Sequence, residues 1–281
     1  MSHPITERFV EGADGVRLFV REGGERRGAP ILFIHGYLFS ADAYVRQFSG
    51  PLAETHRLVA MDLRGHGRSD KPADRAAYLD TQALADDIAR VVAALQLDHV
   101  TIVGWSMGSR MALNYGWHYG FDRIAGLNLV SAVVRGPSRG PGVPLRPHLT
   151  ELFSTDTERR WEATRDFVRS CASGAELDPD LEKAFIETAM ATPVDARSAI
   201  REWPLLYKDA LPKLQTPVLV THGIGDDLVP EADSRELAAL LPRGRLSLIG
   251  GGHLPFLLDA QRFDTALTSF AQDVLESQMQ T

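Results

Sequence analysis

Hydrophobic positions along this chain follow two rhythms. Short, nearly continuous apolar runs recur at Ile31–His35, Arg57–Asp62, Val100–Gly104 and Leu127–Val134, with a weaker one at Arg17–Arg21. Runs such as Ile31-Leu32-Phe33-Ile34 and Thr101-Ile102-Val103 suit strands of a sheet covered on both faces. Between them, Leu84, Ile88, Val91, Val92 and Leu95 recur at helical spacing, which predicts an amphipathic helix over Thr81–Leu95. Strand, helix, strand alternation predicts a parallel sheet with right-handed crossovers. The rhythm breaks at a Pro/Gly-rich stretch, 135–148, and residues 149–211 then read as mostly helical. Strand patterns resume at Pro217–His222 and Arg245–Ile249, with helices near Glu231–Leu240 and Gln261–Leu275. The expected fold class is α/β, a mostly parallel twisted sheet of about eight strands flanked by helices. The core comes in two parts, 1–134 and 213–281, interrupted by a helical cap insertion, 135–212.

Composition narrows the class. The chain has 281 residues, 44% hydrophobic and 24% charged, which suits a globular protein and excludes disorder as its main state. No run of about 18 apolar residues predicts a membrane helix. Met1–Phe19 lacks a basic stretch followed by an apolar one, so no secretory signal is expected. The net charge is −7, and no basic stripe suggests nucleic acid. The single cysteine, Cys171, excludes an internal disulfide framework and a Cys-based zinc site. A cytoplasmic location is expected.

Candidate chemistry gathers at strand ends. Gly104-Trp105-Ser106-Met107-Gly108 matches G-x-S-x-G, in which a serine sits on a tight strand-to-helix turn between small residues. Three fixed residues are weak alone, and Gly136-Pro137-Ser138-Arg139-Gly140 fits the same pattern. There, however, Pro141, Gly142 and Pro144 occupy the place where a helix should begin. Only Ser106 has strand, turn and helix in order; the bland alternative is a small buried residue at a turn.

A serine hydroxyl needs a base. Of nine histidines, His253 stands in Gly250-Gly251-Gly252-His253, just after the last predicted strand. Open α/β sheets place ligands at such strand ends. An orienting acid is expected after the Pro217–His222 strand, where Asp226 and Asp227 compete. The order Ser106, Asp226, His253 is one of three known triad orders. His35-Gly36-Tyr37-Leu38 follows the strongest strand and suggests an oxyanion hole, with the Tyr37 and Met107 N–H groups as donors. Asp62, Arg64 and His66 read as loop-shaping residues rather than catalysts. A metal site of His35, His222 and His253 lacks any supporting spacing, so neither metal nor cofactor is expected.

With these parts in place, the chain resembles the α/β-hydrolase superfamily, most nearly its cofactor-free bacterial haloperoxidase and esterase branch. The resemblance rests on Gly104–Gly108, His35-Gly36-Tyr37, the stretch from Met61 to Asp70, and Gly252-His253-Leu254-Pro255-Phe256. In that family the acid lies four residues before the Pro of H-G-x-x-D-x-x-V-P. The pattern fits His222–Pro230 and selects Asp226 over Asp227. The resemblance is nearly silent over the insertion. Two departures stand out. Ser109 and Arg110 follow the turn where the family often continues with Gly. The nucleophile is Ser, which argues against the haloalkane dehalogenases and epoxide hydrolases that use Asp, despite the dehalogenase-like run from Gly67 to Pro72.

The implied function is cleavage of a carboxylic ester or lactone through an acyl-enzyme. The same triad serves acyl transfer to hydrogen peroxide, other acyl transfers and carbon–carbon bond hydrolysis. A non-catalytic ligand-binding protein on this fold is the remote alternative. Trp105, Leu38 and Leu254 are the expected substrate contacts. The expected partner is a small-molecule substrate, with no nucleic acid and no membrane; the sequence admits a homo-oligomer without demanding one.

Overall fold

The computed structural model describes residues 4–133, 147–199, 202–203 and 209–279. Its eight strands are β1 (Thr6–Glu11), β2 (Arg17–Gly24), β3 (Pro30–Ile34), β4 (Arg57–Met61), β5 (Val100–Trp105), β6 (Ile124–Val130), β7 (Val218–Gly223) and β8 (Gly244–Ile249). They form one sheet in the order β1-β2-β4-β3-β5-β6-β7-β8. The pairs β1·β2 and β2·β4 are antiparallel, and every later pair is parallel.

Alternation along the central strands divides the core. Leu32, Ile34, Val59, Met61 and Ile102 face one apolar cluster. Ile31, Phe33, Leu58, Ala60 and Val103 face the other. The first face is covered by α1 (Thr81–Ala94) and α2 (Met107–Tyr119), through residues such as Ile88, Val91 and Met111. Asp80 caps α1, its carboxylate accepting from the N–H groups of Gln82 and Ala83 at 2.9 and 3.2 Å.

Between β6 and β7 the described residues contain helices and no strand. The longer helices are α3 (Thr157–Cys171) and α4 (Pro179–Met190), each started by an Asp cap, Asp156 and Asp178. Phe167 of α3 meets the rings of Tyr37 and Phe39 at 5.7 and 6.4 Å, and Phe185 of α4 meets Phe39 at 5.0 Å. The helical segment thus packs on the loop that follows β3. After β7 come α5 (Glu231–Leu240) and, beyond β8, α6 (Ala260–Met279). Phe263 and Leu267 of α6 close the second face.

The strand β1 lacks a sequence signal. Only Val10 in it is buried, because it is a charged edge strand. The strand expected over Leu127–Val134 instead runs from Ile124 to Val130 and ends at Ser131, whose φ is 44°. Val134 and the second G-x-S-x-G match, Gly136 to Gly140 with Ser138, lie outside the described residues. Among the described residues no helix is long and apolar enough to cross a membrane.

Candidate active site

Ser106 sits between β5 and α2 with φ 52° and ψ −112°, a strained backbone for a residue with a side chain. Its neighbours must be small. A Cβ on Gly104 would lie 2.4 Å from the carbonyl oxygen of Gly108, and one on Gly108 would lie 2.1 Å from that of Ile34. The strand is held by the Ser106 N–H, which donates to the carbonyl of Val130 at 2.8 Å. Where the related pattern often has Gly, the Ser109 hydroxyl donates back to the Gly104 carbonyl at 2.6 Å and braces the turn. Met107 opens α2, where the first N–H groups have no acceptor within the helix.

The candidate base and acid, His253 and Asp226, come from the loops after β8 and β7. His253 Nδ1–H donates to Asp226 Oδ2 at 2.7 Å. The other carboxylate oxygen of Asp226 accepts from the N–H groups of Leu228 and Val229 at 2.8 and 2.9 Å. Both side chains are almost wholly buried. Burial works to raise the Asp226 pKa, but attraction to His253 and these hydrogen bonds outweigh it and hold the carboxyl below its ordinary value. Asp227 is exposed, and it is the Asp226 carboxylate that holds the His253 ring. The two loops cross at the backbone: a Cβ on Gly223 would lie 1.8 Å from the carbonyl oxygen of Gly252.

Trp105 ties the base loop to the serine turn. Its indole N–H donates to the His253 carbonyl at 2.7 Å, and the two rings lie 5.6 Å apart. The residue before Ser106 therefore carries the backbone of His253. Ser106, His253 and Asp226 are in this way gathered at the C-terminal ends of β5, β8 and β7.

A family model described as alpha/beta hydrolase fold matches residues 29–260. The chain belongs to this family. A non-heme chloroperoxidase, CPO-A1, of Kitasatospora aureofaciens is 28% identical over 92% of this chain and 96% of that protein. A bifunctional esterase/perhydrolase, DCH, of Acinetobacter calcoaceticus is 29% identical over 85% of this chain and 89% of its own length. Among solved structures, the esterase RhEst1 from Rhodococcus sp. ECU1013 superposes with a TM-score of 0.86 at 29% identity, covering 98% of this chain and all (100%) of that one. These likenesses put the chain in the haloperoxidase and esterase branch of the α/β hydrolases and make it a hydrolase.

Trp105, Leu38 and Leu254, the expected substrate contacts, are buried in the second apolar cluster, as Ser106 and His253 are also buried. The indole of Trp105 is committed to His253 and packs against Phe39 and Phe256, with ring centroids 4.7 and 5.0 Å away. Tyr37 keeps its backbone next to Gly36, while its hydroxyl donates to the carbonyl of Arg197 in the helical segment at 3.1 Å.

His35, at the end of β3, has both ring nitrogens engaged. Nδ1–H donates to the Gly36 carbonyl at 2.8 Å, and Nε2 accepts the Leu63 N–H at 3.0 Å. It has no nitrogen left for a metal ion. Among the described residues no group of three or more His, Cys, Asp or Glu side chains is arranged to hold one. Asp62, Arg64 and His66 shape loops. Asp62 accepts from the Ala41 and Arg68 N–H groups at 2.6 and 2.7 Å, and Arg64 forms a buried two-pronged pair with Asp87 at 2.6 and 2.8 Å. Burial and the negative charge of Asp226 push the Cys171 thiol well up, so it stays protonated.

Sequence reasoning missed three residues that matter here. Asp87, Arg197 and Ser173 are polar residues whose partners lie far away in sequence. Asp87 carried one faint signal, a carboxylate beside the apolar stripe of α1.

Proposed function

We propose that this chain is a serine esterase. Ser106 attacks the carbonyl of a carboxylic ester or lactone, and His253 Nε2 takes its proton. Asp226 fixes the His253 tautomer and stabilises the imidazolium that forms. The N–H groups of Met107 and Tyr37 receive the developing oxyanion, each such donor stabilising it by about 3–4 kcal/mol. The imidazolium gives its proton to the leaving alcohol, and water then attacks the acyl-enzyme with His253 as base. The described helices between β6 and β7, α3 and α4, form the cap that shapes the acyl pocket.

The observation that carries this reading is the 2.7 Å His253–Asp226 bond, with the second Asp226 oxygen tied to two backbone N–H groups. It leaves Asp226 no freedom to turn away and fixes the proton on Nδ1, so that Nε2 is the basic nitrogen. The strained φ of Ser106, between two obligatory glycines, supports the nucleophile assignment.

Hydrolysis of p-nitrophenyl esters of increasing acyl length tests the reading. Ser106→Ala should lower kcat by on the order of a thousandfold or more, because removing any member of such a unit removes the unit. Undiminished turnover in Ser106→Ala would overturn it.

A second reading keeps the same residues and changes the acyl acceptor. It draws on the relative named as a bifunctional esterase/perhydrolase. Hydrogen peroxide would attack the acyl-enzyme in place of water, releasing a peracid and free Ser106. Peracid formed from ester and peroxide by wild type, and not by Ser106→Ala, would support it.

A further inference from the structure

The helical segment between β6 and β7 sends one hydroxyl into the catalytic loops. Ser173 lies just beyond the C-terminal end of α3, past Cys171 and Ala172. Its Oγ accepts from the backbone N–H of Asp227 at 3.2 Å and from that of His253 at 3.4 Å. One belongs to the residue beside the acid, the other to the base itself. A hydroxyl oxygen has two lone pairs, so a single atom serves both donors.

The fit is close. A Cβ on Gly252 would lie 2.5 Å from both the Cβ and the Oγ of Ser173, so the serine fills the notch beside the base loop. The backbone is bent to put it there. Ser173 has φ 51°, a left-handed conformation that costs a residue with a side chain about 1–2 kcal/mol. Gly174 next to it, at φ 86°, shows that glycine serves this turn without that cost. A strained serine whose side chain bridges two catalytic loops is unlike an ordinary helix terminus.

We propose that Ser173 is a positioning residue that clamps the acid loop to the base loop. It acts through their backbones and does not touch the reacting atoms. The proposal rests on the reading of Asp226 and His253 as acid and base. Its consequence is that the register of the 2.7 Å His253–Asp226 bond is set from α3, the same segment proposed to cover the site. Without the hydroxyl, two N–H groups lose their acceptor and the loops can slide past each other. Small displacements of a catalytic group cost much rate.

The experiment compares wild type, Ser106→Ala, Ser173→Ala and Ser173→Gly. Active sites of wild type and of the two Ser173 variants are titrated with a fluorophosphonate, and their kcat and KM for a p-nitrophenyl ester are expressed per titrated site; Ser106→Ala, which has no serine to titrate, is compared with wild type per mole of protein. Both Ser173 variants should lose about tenfold in kcat with KM within about twofold. Ser173→Gly relieves the strained backbone and should unfold at a Tm no lower than that of Ser173→Ala. Turnover per titrated site counts only folded, reactive enzyme, so lost turnover in either variant cannot come from unfolding. Wild-type turnover per titrated site in both variants would overturn the proposal, including where only Tm or the number of titrated sites falls. If Ser106→Ala itself keeps its activity, the reading beneath the proposal has failed. Loss in Ser106→Ala with no loss in either Ser173 variant rejects the clamp alone.

Discussion

Asp226 accepts three hydrogen bonds, from His253, Leu228 and Val229, and this commits both of its oxygens. An amide in its place can still accept on one oxygen but turns a donor toward the other partners. The wrong tautomer of His253 then follows. Asp226→Asn should lower kcat by about a thousandfold to ten-thousandfold, whereas Asp227→Asn, at an exposed side chain, should stay within about threefold of wild type. Steady-state ester hydrolysis by the two variants checks this, and a larger loss in Asp227→Asn would exchange their roles. At this scale the candidate triad was open to sequence reasoning because sterics tie its positions to local patterns. Gly104 and Gly108 flank a turn that admits nothing larger, and Gly252 precedes His253 where two backbones cross. The supports were not legible. Trp105 reaches His253 across 148 positions and Ser173 reaches it across 80, and no local pattern encodes such pairs.

Elements were legible in proportion to their burial. β3, β5 and β7 are covered on both faces and announce themselves as apolar runs. β1 is an exposed edge and does not. Between β6 and β7, the helices α3 and α4 were legible as a break in the strand rhythm followed by a mostly helical stretch. What joins elements is also hidden. Asp87 of α1 pairs with Arg64 from the loop after β4 and also accepts the Ala13 N–H at 2.9 Å, so one buried carboxylate pins three segments. Asp87→Ala leaves the buried Arg64 guanidinium only backbone carbonyls and the exposed Asp14 carboxylate 3.8 Å away. It should cost about 3–5 kcal/mol of stability, read from urea unfolding. A loss below about 1 kcal/mol would show that Arg64 finds other compensation.

Across the whole molecule, buried histidines set the response to acid. Burial drives His35 down to about 3 and His66 to about 4, so both are neutral in the folded chain at ordinary pH. The unfolded chain binds these protons near pH 6.5. It therefore holds more protons than the folded one below that value, and stability falls as pH falls. Burial acts in the opposite sense on Asp62 and Asp264, both raised to about 6, which lose stability as pH rises through the range between about 4 and about 6. A difference measurement separates the two effects. His66→Asn keeps a donor for the Arg64 carbonyl and removes the titration. From about pH 7.5 to about pH 5, wild type should lose about 2 kcal/mol more than this variant in urea unfolding. Equal losses would show that His66 does not titrate as a buried neutral ring.

The central claim is that Ser106 carries the acyl group. It is tested most directly by quenching a reaction with a slowly released ester in acid and mapping the adduct by peptide mass spectrometry. The account predicts one added acyl mass on the peptide containing Ser106 in wild type, and none in Ser106→Ala. An acyl group on another residue, or turnover with no adduct on Ser106 under conditions that trap the intermediate, would contradict it.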